Sequence, residues 1–287
     1  MSTTPPLEAI SILRRCRFPI VLDSPHSGVN YPDDFAYTPP LQALRRAEDT
    51  HVEKLYSFAQ EADYPMVTAN FPRSYIDANR SAQEIDPVLF EGDWTSNVEV
   101  SSKAKLGKGL IWRMLDDGTP IYDKLLTRDD YAHRVRTYWQ PYHDAVSTLL
   151  DDVFAEHDFF MHINCHSMPS VSEKFGTDHP GLIHPDVVLG DRDSTTNDPA
   201  ITNFLQEQFE QLGYDCWVNK PYKGVELIRA YSEPESRRFS MQLELNRKLY
   251  MDEYSLEPHD GFKTLQDNLQ IVLAALEDFC RKRYRVG

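Results

Sequence analysis

Short apolar runs alternate along the chain with stretches in which apolar residues recur every three or four positions. The first pattern is typical of buried strands and the second of amphipathic helices. Strands are predicted over Pro19–Leu22, Met66–Ala69, Tyr75–Ile76, Phe159–Cys165 and Ser240–Leu245, and helices over Leu41–Ala62, Tyr131–His157, Asn197–Gly213 and Phe262–Tyr284. This alternation predicts an α/β fold with a central mixed, largely parallel sheet flanked by helices.

Two of the predicted helices carry specific boundary signals. Asp198 can cap a helix, Pro199 suits its first position, and Gly213 can end it. Pro141 lies inside the helix predicted over Tyr131–His157, where it is expected to cause a kink or a break, since proline cannot donate the helical hydrogen bond.

The domain organisation predicted from the sequence is simple. No repeat, low-complexity segment or long linker divides the 287 residues, so a single domain over residues 1–287 is expected. Residues 90–118 are weakly patterned and are predicted to form loops. A chain of this length can bury a substantial core.

The charge balance narrows the choice of partners. The formal net charge is −15, which argues against sequence-independent nucleic-acid binding and against attachment to an anionic membrane. No apolar run approaches the roughly 20 residues of a membrane span, and the first 17 residues do not resemble a signal peptide. A small-molecule substrate is the expected partner, and the oligomeric state stays open.

The four cysteines are scattered along the chain, at Cys16, Cys165, Cys216 and Cys280. Because no CxxC pair is present, neither a disulfide framework nor a cysteine-type zinc site is expected. Free thiols are typical of a reducing compartment, so a cytoplasmic location is expected.

Candidate chemistry follows the ends of the predicted strands, where ligands gather in parallel sheets. His26 stands in the segment Ser24-Pro25-His26-Ser27-Gly28, just after the first strand. Neutral imidazole is a common zinc ligand, although a turn histidine without such a role is the alternative. Gly28 would allow another backbone segment to approach closely.

The strand around Phe159–Cys165 carries polar residues on one face. Alternation places His162, Asn164 and His166 together and turns Cys165 to the other face. Buried polar groups cost free energy unless they are hydrogen-bonded or used, so these are either satisfied core groups or ligands. The opposite direction of Cys165 argues against a Cys–His catalytic pair.

The strand Ser240–Leu245 places Glu244 between two leucines. If this carboxylate is desolvated there, its pKa rises toward that of a general base. The alternative is a surface-facing glutamate on an edge strand.

Two further segments supply candidate ligands. Asp49 and His51 precede a helical pattern, and one of the two is expected to bind a metal. Arg80 could pair with a substrate carboxylate, or it could form a structural salt bridge to Asp77 or Glu84. Together these segments provide the residues of a catalytic zinc site with a general base and a carboxylate-binding group.

Six segments, taken in order, resemble the N-formylglutamate amidohydrolase family. They are residues 24–28 with 31–32 (SPHSG, YP), 49–56 (DTHVEKLY), 76–80 (IDANR), 138–143 (YWQPYH), 165–167 (CHS), and 242–245 with 250–253 (QLEL, YMDE). The resemblance extends through most of the chain. It implies a fold similar to the zinc carboxypeptidases and aspartoacylases, and one zinc ion per chain.

The resemblance also implies roles for individual residues. The zinc ligands would be His26, Asp49 and His166, and Glu244 would be the general base. Substrate contacts would come from Ser27, Asn79, Arg80 and Arg229. Either Arg80 or Arg229 would stabilise the oxyanion or bind the side-chain carboxylate of the substrate.

The chain departs from the family pattern at two places near the expected pocket. Ala230 stands where a histidine is usual, and Arg247 where a glutamine is usual. We therefore expect zinc-dependent hydrolysis of an N-acyl acidic amino acid such as N-formyl-L-glutamate. The alternatives are a zinc amidohydrolase or peptidase acting on another small N-acyl amino acid or peptide, a metal-free hydrolase using Ser27, Ser167 or Cys165, and an inactive binding protein.

Overall fold

A computed structural model describes residues 8–94, 98–172 and 179–286. Seven strands form a single sheet within these residues. They are β1 (Ile10–Leu13), β2 (Ile20–Ser24), β3 (Met66–Ala69), β4 (Phe160–Met168), β5 (Val187–Gly190), β6 (Cys216–Val218) and β7 (Arg238–Asn246). Their spatial order is β1-β3-β2-β4-β7-β5-β6.

The centre of the sheet is parallel. Strands β3, β2, β4 and β7 run in one direction, whereas β1 is antiparallel to β3 and β5 is antiparallel to β7. Strand β6 pairs in parallel with β5. The predicted mixed, largely parallel sheet is confirmed, and the carboxyl ends of its four central strands meet at one edge.

The helices lie on both faces of this sheet. They are α1 (Leu41–Arg45), α2 (Val52–Leu55), α3 (Ser102–Lys105), α4 (Arg128–Arg134), α5 (Gln140–His157), α6 (Pro199–Gln211), α7 (Glu226–Tyr231) and α8 (Gly261–Tyr284). A π-helical segment, Val135–Trp139, joins α4 to α5, and 3₁₀ turns occupy Ser57–Ala59, Pro87–Leu89, Pro234–Ser236 and Arg247–Leu249.

Two apolar cores flank the sheet. On one side, Ile163 and Cys165 of β4 pack with Leu205 of α6 and Leu269 of α8. On the other side, Val21 of β2 packs with residues of α5. Because successive side chains of a strand point to opposite faces, Cys165 lies in the first core and away from His166, as predicted.

Several predicted elements differ from the observed ones. The strand predicted over Tyr75–Ile76 is wrong, since Tyr75 lies in a turn and Ile76 in irregular backbone; both side chains are buried without sheet pairing. The helix predicted over Leu41–Ala62 is divided into α1, α2 and a 3₁₀ turn. Strands β1, β5 and β6 and helices α3 and α7 were not predicted, and α3 lies in the segment 90–118 that was expected to form loops.

The helix boundaries near Pro199 and Pro141 agree with the boundary signals in the sequence. The Asp198 carboxylate accepts a hydrogen bond from the Ala200 N–H at 2.8 Å, and Gly213 adopts a φ of 89° just beyond α6. The interruption expected at Pro141 appears as the π-helical segment that ends two residues before it. No helix in the described parts of the chain is long and apolar enough to cross a membrane.

Candidate active site

One face of the sheet carries a continuous group of polar side chains. The paired positions on the parallel strands β4 and β7 are His162 with Ser240, Asn164 with Gln242, and His166 with Glu244. Paired residues of neighbouring strands point to the same face, so the two polar rows predicted separately from the sequence form one surface. His166 and Glu244 lie at its carboxyl-terminal edge.

Three buried side chains converge at this edge. One ligand atom each from His26, Asp49 and His166 lies within 4.8 Å of the others. The Asp49 N–H donates to the His26 carbonyl at 3.0 Å, which joins two segments that are distant in sequence. His51 faces elsewhere, because one of its ring nitrogens contacts the Leu256 carbonyl at 2.9 Å. The structure thus brings Asp49, rather than His51, to the two histidines.

Gly28 allows the His26 segment to reach this position. A Cβ atom at Gly28 would lie 2.4 Å from the Phe71 carbonyl oxygen, so the backbone following β3 leaves room only for glycine. The close approach predicted for Gly28 is therefore present.

The contacts of the two ring nitrogens of His166 are consistent with Nδ1 acting as an acceptor toward Asp49. Asn164 donates from Nδ2 to Asp23 at 2.9 Å, which leaves its Oδ1 2.7 Å from His166 Nε2. In the neutral tautomer with the hydrogen on Nε2, this N–H donates to Oδ1, which can only accept, and Asn79 Nδ2 lies 3.0 Å from the same nitrogen. In that tautomer the Nδ1 lone pair points at Asp49 Oδ2, 2.9 Å away.

His26 has the same arrangement. Its Nε2 lies 2.6 Å from Asp77 Oδ1, so in the neutral ring Nε2–H donates to that carboxylate. Its Nδ1 lies 3.4 Å from Asp49 Oδ2 and is a buried atom without a hydrogen-bond partner among the described residues. Metal-binding histidines commonly donate their other N–H to a carboxylate or carbonyl in this way.

When both rings are neutral with the hydrogen on Nε2, three acceptor atoms face one another with no hydrogen between them. Two imidazole lone pairs and a carboxylate oxygen repel each other unless a cation lies among them. Two nitrogens and one oxygen are a ligand set typical of catalytic zinc. The residues His26, Asp49 and His166 fit the predicted metal.

Charged neighbours act on the acidic groups of this cluster. Burial alone would raise the pKa of Asp49, but its contacts with His166 and His26 and the charge of Arg73 lower that pKa well below its usual value. The pKa of Asp77 is lowered against the same effect of burial, chiefly by His26 and Arg73. Both carboxylates are therefore ionised.

Glu244 is the buried carboxylate beside this cluster. Its Oε1 accepts a hydrogen bond from Gln242 Nε2 at 2.8 Å. Burial raises the pKa of Glu244 above its usual value, although the charge of His166 opposes the shift. A carboxylate with a raised pKa at a cleft edge has the property required of a general base.

The cluster opens into a cleft of about 510 Å³. The cleft is lined by six cationic side chains, Arg46, Arg73, Arg80, Lys103, Lys108 and Arg247, and by five acidic ones. The whole chain has a net charge of −15, so this lining is far richer in cations than the rest of the protein. Such a cleft favours an anionic ligand.

Asn79 and Arg80 both line the cleft, but they differ in how many of their polar atoms already have partners. Asn79 Oδ1 accepts the Leu227 N–H at 3.0 Å, and its Nδ2 donates to Asn164 at 3.2 Å. Arg80 has one weak ion pair, 3.5 Å from Glu84, and its buried Nε has no partner within the described chain. Arg80 therefore retains donors for a ligand, whereas Asn79 mainly holds neighbouring side chains.

Arg73 is a cleft residue that the sequence reasoning missed. Its guanidinium lies 3.4 Å from Asp49 and 3.2 Å from Asp77, and it stacks over the Trp112 ring at 4.9 Å. The only available signal was its position four residues after a predicted strand.

Two predicted substrate contacts need correction. Arg229 is 55% exposed and pairs with Glu226 of its own helix, because its place on α7 turns it away from the cleft. Ser27 hydrogen-bonds Ser24 at 2.8 Å and does not line the cleft. Ala230 lines a separate groove of about 440 Å³, whereas Arg247 does line the cleft.

Comparisons with known proteins agree with one another. Residues 18–251 match the family model for N-formylglutamate amidohydrolase. A relative from Pseudomonas putida named N-formylglutamate deformylase is 27% identical over 91% of this chain and 91% of its own. A second relative, from Pseudomonas aeruginosa, has the same name and is 28% identical over 86% of this chain and 87% of its own.

Solved structures extend these similarities. The crystal structure of N-formylglutamate amidohydrolase from Ralstonia eutropha JMP134 is 37% identical and has a TM-score of 0.89, over 96% of this chain and 99% of that one. A gene product of Agrobacterium tumefaciens shares the fold at 15% identity, with a TM-score of 0.57 over 94% of this chain and 96% of that one.

Proposed function

Because this chain belongs to the N-formylglutamate amidohydrolase family, we propose that it hydrolyses the formyl amide of N-formyl-L-glutamate with one zinc ion held by His26, Asp49 and His166. The observation that carries the proposal is the pairing of Glu244 with His166 across β4 and β7. It places a candidate base next to a candidate metal ligand on rigid elements.

The ion would supply the electrophilic part of the chemistry. Zinc bound by such ligands lowers the pKa of water to about 7 and polarises a carbonyl group. The protein contributes the geometry, since Asp77 and Asn164 fix the orientation of the two imidazole rings.

Glu244 carries out the proton transfers. It accepts a proton from the water that attacks the formyl carbon, and it returns that proton to the amide nitrogen as the C–N bond breaks. The products are formate and glutamate. The raised pKa of Glu244 supports both halves of this role, because the group must accept and then release a proton near neutral pH.

Cationic residues of the cleft would bind the substrate. Arg80, with its unpartnered Nε, is proposed to bind a carboxylate of the glutamate portion. Arg73 lies next to the zinc cluster and carries a positive charge, and it is proposed to stabilise the oxyanion that forms on the formyl oxygen. This assigns to Arg73 the role that the sequence had suggested for Arg80 or Arg229.

A metal-free cysteine mechanism has no support in the structure. The Cys165 thiol lies in the core opposite the cleft, and burial raises its pKa well above the usual value. A thiol that is neither exposed nor ionised is a poor nucleophile.

The test is hydrolysis of N-formyl-L-glutamate by the purified protein, with the metal content measured alongside. Activity that is lost on treatment with a chelator and restored by zinc would support the proposal. Activity that persists in metal-free protein would overturn the zinc assignment.

A substrate panel tests the acyl and amino acid parts separately. N-acetyl-glutamate, N-formyl-aspartate and N-formyl-glutamine each change one group. Preference for N-formyl-L-glutamate over N-formyl-glutamine is expected, because a cleft rich in cations favours two carboxylates over one. Faster cleavage of another member would move the assignment to the related alternative, a zinc amidohydrolase for a different small N-acyl amino acid.

A further inference from the structure

Arg247 is a buried arginine at the end of the base-bearing strand. It opens the 3₁₀ turn that follows β7, three residues after Glu244, and it is 8% exposed. Burial of a guanidinium is costly unless its donors are satisfied, so its partners indicate what the position requires.

Three acceptors surround the Arg247 guanidinium. Its Nη2 donates to Asp49 Oδ1 at 3.1 Å, its Nε to Ser167 Oγ at 3.1 Å, and its Nη1 to the Arg46 carbonyl at 2.9 Å. Arg46 precedes Asp49 in the same loop, and Ser167 follows His166 in β4. One rigid, planar group thus joins the strand of Glu244 to the segments that carry two proposed metal ligands.

The two oxygens of Asp49 have separate partners. Oδ2 faces the histidines, 2.9 Å from His166 Nδ1 and 3.4 Å from His26 Nδ1. Oδ1 faces the two guanidinium groups, 3.1 Å from Arg247 and 3.4 Å from Arg73. The carboxylate is therefore oriented by charges on one side and by ring nitrogens on the other.

We infer that Arg247 is a positioning residue for the metal centre, which holds Asp49 so that only Oδ2 is presented to the ion. Retaining Oδ1 on the arginine side limits Asp49 to one ligand atom. Catalytic zinc sites need a position that the protein does not fill, and a carboxylate binding through both oxygens would reduce that space. This inference rests on the zinc site of the proposed function.

A purely structural ion pair would behave differently from a positioning residue. If Arg247 only stabilised the fold, its loss would lower the melting temperature and leave the properties of the bound ion unchanged. If it orients Asp49, its loss alters the affinity for zinc and the coordination of the ion. Metal affinity and a metal spectrum separate these two roles.

The experiment compares the full-length protein with Arg247→Gln, using zinc competition against a chromophoric chelator and the visible absorption spectrum of the cobalt-substituted protein. Loss of an outer partner of a metal ligand typically weakens metal binding by about 10–100-fold. We expect a loss of this size, and a cobalt spectrum shifted toward higher coordination as Asp49 Oδ1 becomes available.

The matched control is Arg113→Gln, which breaks a comparable arginine–carboxylate pair, 2.7 Å from Asp86, away from the cluster. It is expected to keep the zinc affinity and the cobalt spectrum of the unmodified protein. Unchanged affinity and an unchanged spectrum in folded Arg247→Gln would overturn the inference.

Arg247→Lys keeps the test decisive if the glutamine variant does not fold. Lysine retains the charge, but its single ammonium cannot reproduce the three directed bonds. A weaker affinity for zinc than in the unmodified protein is expected, and equal affinity would overturn the inference. If the unmodified protein binds no zinc, the proposed function and this inference both fail, whereas tight zinc binding that is unaffected by either variant removes only the inference.

Discussion

His166 of β4 and Glu244 of β7 occupy paired positions on neighbouring parallel strands, with both side chains on the same face of the sheet. The pairing fixes a proposed metal ligand and a proposed base relative to each other through backbone hydrogen bonds rather than through a loop. Sites built on strands are held more tightly than sites built on loops. Because the two groups come from different strands, their functions can be separated by substitution.

Glu244→Gln is expected to reduce kcat by about 10²–10⁴-fold while leaving zinc binding intact, because the amide keeps the shape of the side chain but cannot accept the proton. Steady-state kinetics on N-formyl-L-glutamate, with zinc quantified in the same preparation, measure both effects. The exposed Glu235→Gln is the control. Near-normal turnover by Glu244→Gln would show that the base is another group.

Asp49→Ala is expected to lose zinc and activity together, whereas His51→Asn should retain both. Of these two residues, Asp49 faces His26 and His166, whereas a ring nitrogen of His51 contacts the Leu256 carbonyl. Asparagine is chosen for position 51 because the backbone there has a φ of 69°, which asparagine tolerates. Zinc content after dialysis is the measurement, and loss of zinc from His51→Asn would reverse the assignment.

Arg80→Gln is expected to lower kcat/KM by about 10–100-fold, the effect of losing hydrogen bonds to a charged group. Comparing N-formyl-glutamate with N-formyl-glutamine identifies the carboxylate concerned. A loss for both substrates indicates the α-carboxylate, and a loss only for the first indicates the side chain.

The matched control for Arg80 is Arg229→Gln, which removes an exposed guanidinium on α7 that does not line the cleft. Its kinetics should equal those of the unmodified protein. Equal kinetics for Arg80→Gln as well would exclude Arg80 from substrate binding.

Asp198→Ala is expected to lower the free energy of unfolding by about 1 kcal/mol, because the helix α6 loses its N-terminal cap. Asp198→Asn should lose less, since asparagine also caps helices well. Urea unfolding near neutral pH measures the difference. Equal stability of all three proteins would show that the cap contributes nothing.

The Asp198 contribution should also depend on pH. Burial alone would raise its pKa, but Tyr284, the Ala200 N–H and Arg283 together lower the folded-state value below 3.8. A lowered folded-state pKa stabilises the protein above the unfolded-state value, and that stability disappears as the pH falls through the folded-state value. The difference in unfolding free energy between the unmodified protein and Asp198→Asn should therefore shrink below pH 3.8.

Alternation within single strands was enough to predict which polar side chains share a face. His162, Asn164 and His166 are separated by one residue each, and the same spacing links Gln242 and Glu244. Because successive side chains of a strand point to opposite faces, assigning the strand also determines which residues share a face. The sequence could not show that these two strands are neighbours, since pairing between distant segments depends on the whole sheet.

The incorrect predictions concern residues whose backbone conformation or side-chain direction cannot be read from their polarity. Tyr75 and Ile76 are fully buried, as their apolarity indicates, but they lie in a turn and the irregular backbone that follows it. Arg229 was expected to contact the substrate, yet the direction of α7 turns it outward. Arg73 and Arg247 gave no periodic signal, because each acts through contacts with residues far away in the sequence.

The spacing of the proposed ligands has a consequence for how the protein matures. His166 and Asp49 are 117 residues apart in sequence, and they meet only after β4 has been inserted into the centre of the sheet. In an unfolded chain these two proposed ligands are far apart, and closing so long a loop is entropically unfavourable. Newly made protein should therefore complete its sheet before it acquires the ion, so that metal uptake reports the end of folding rather than its start.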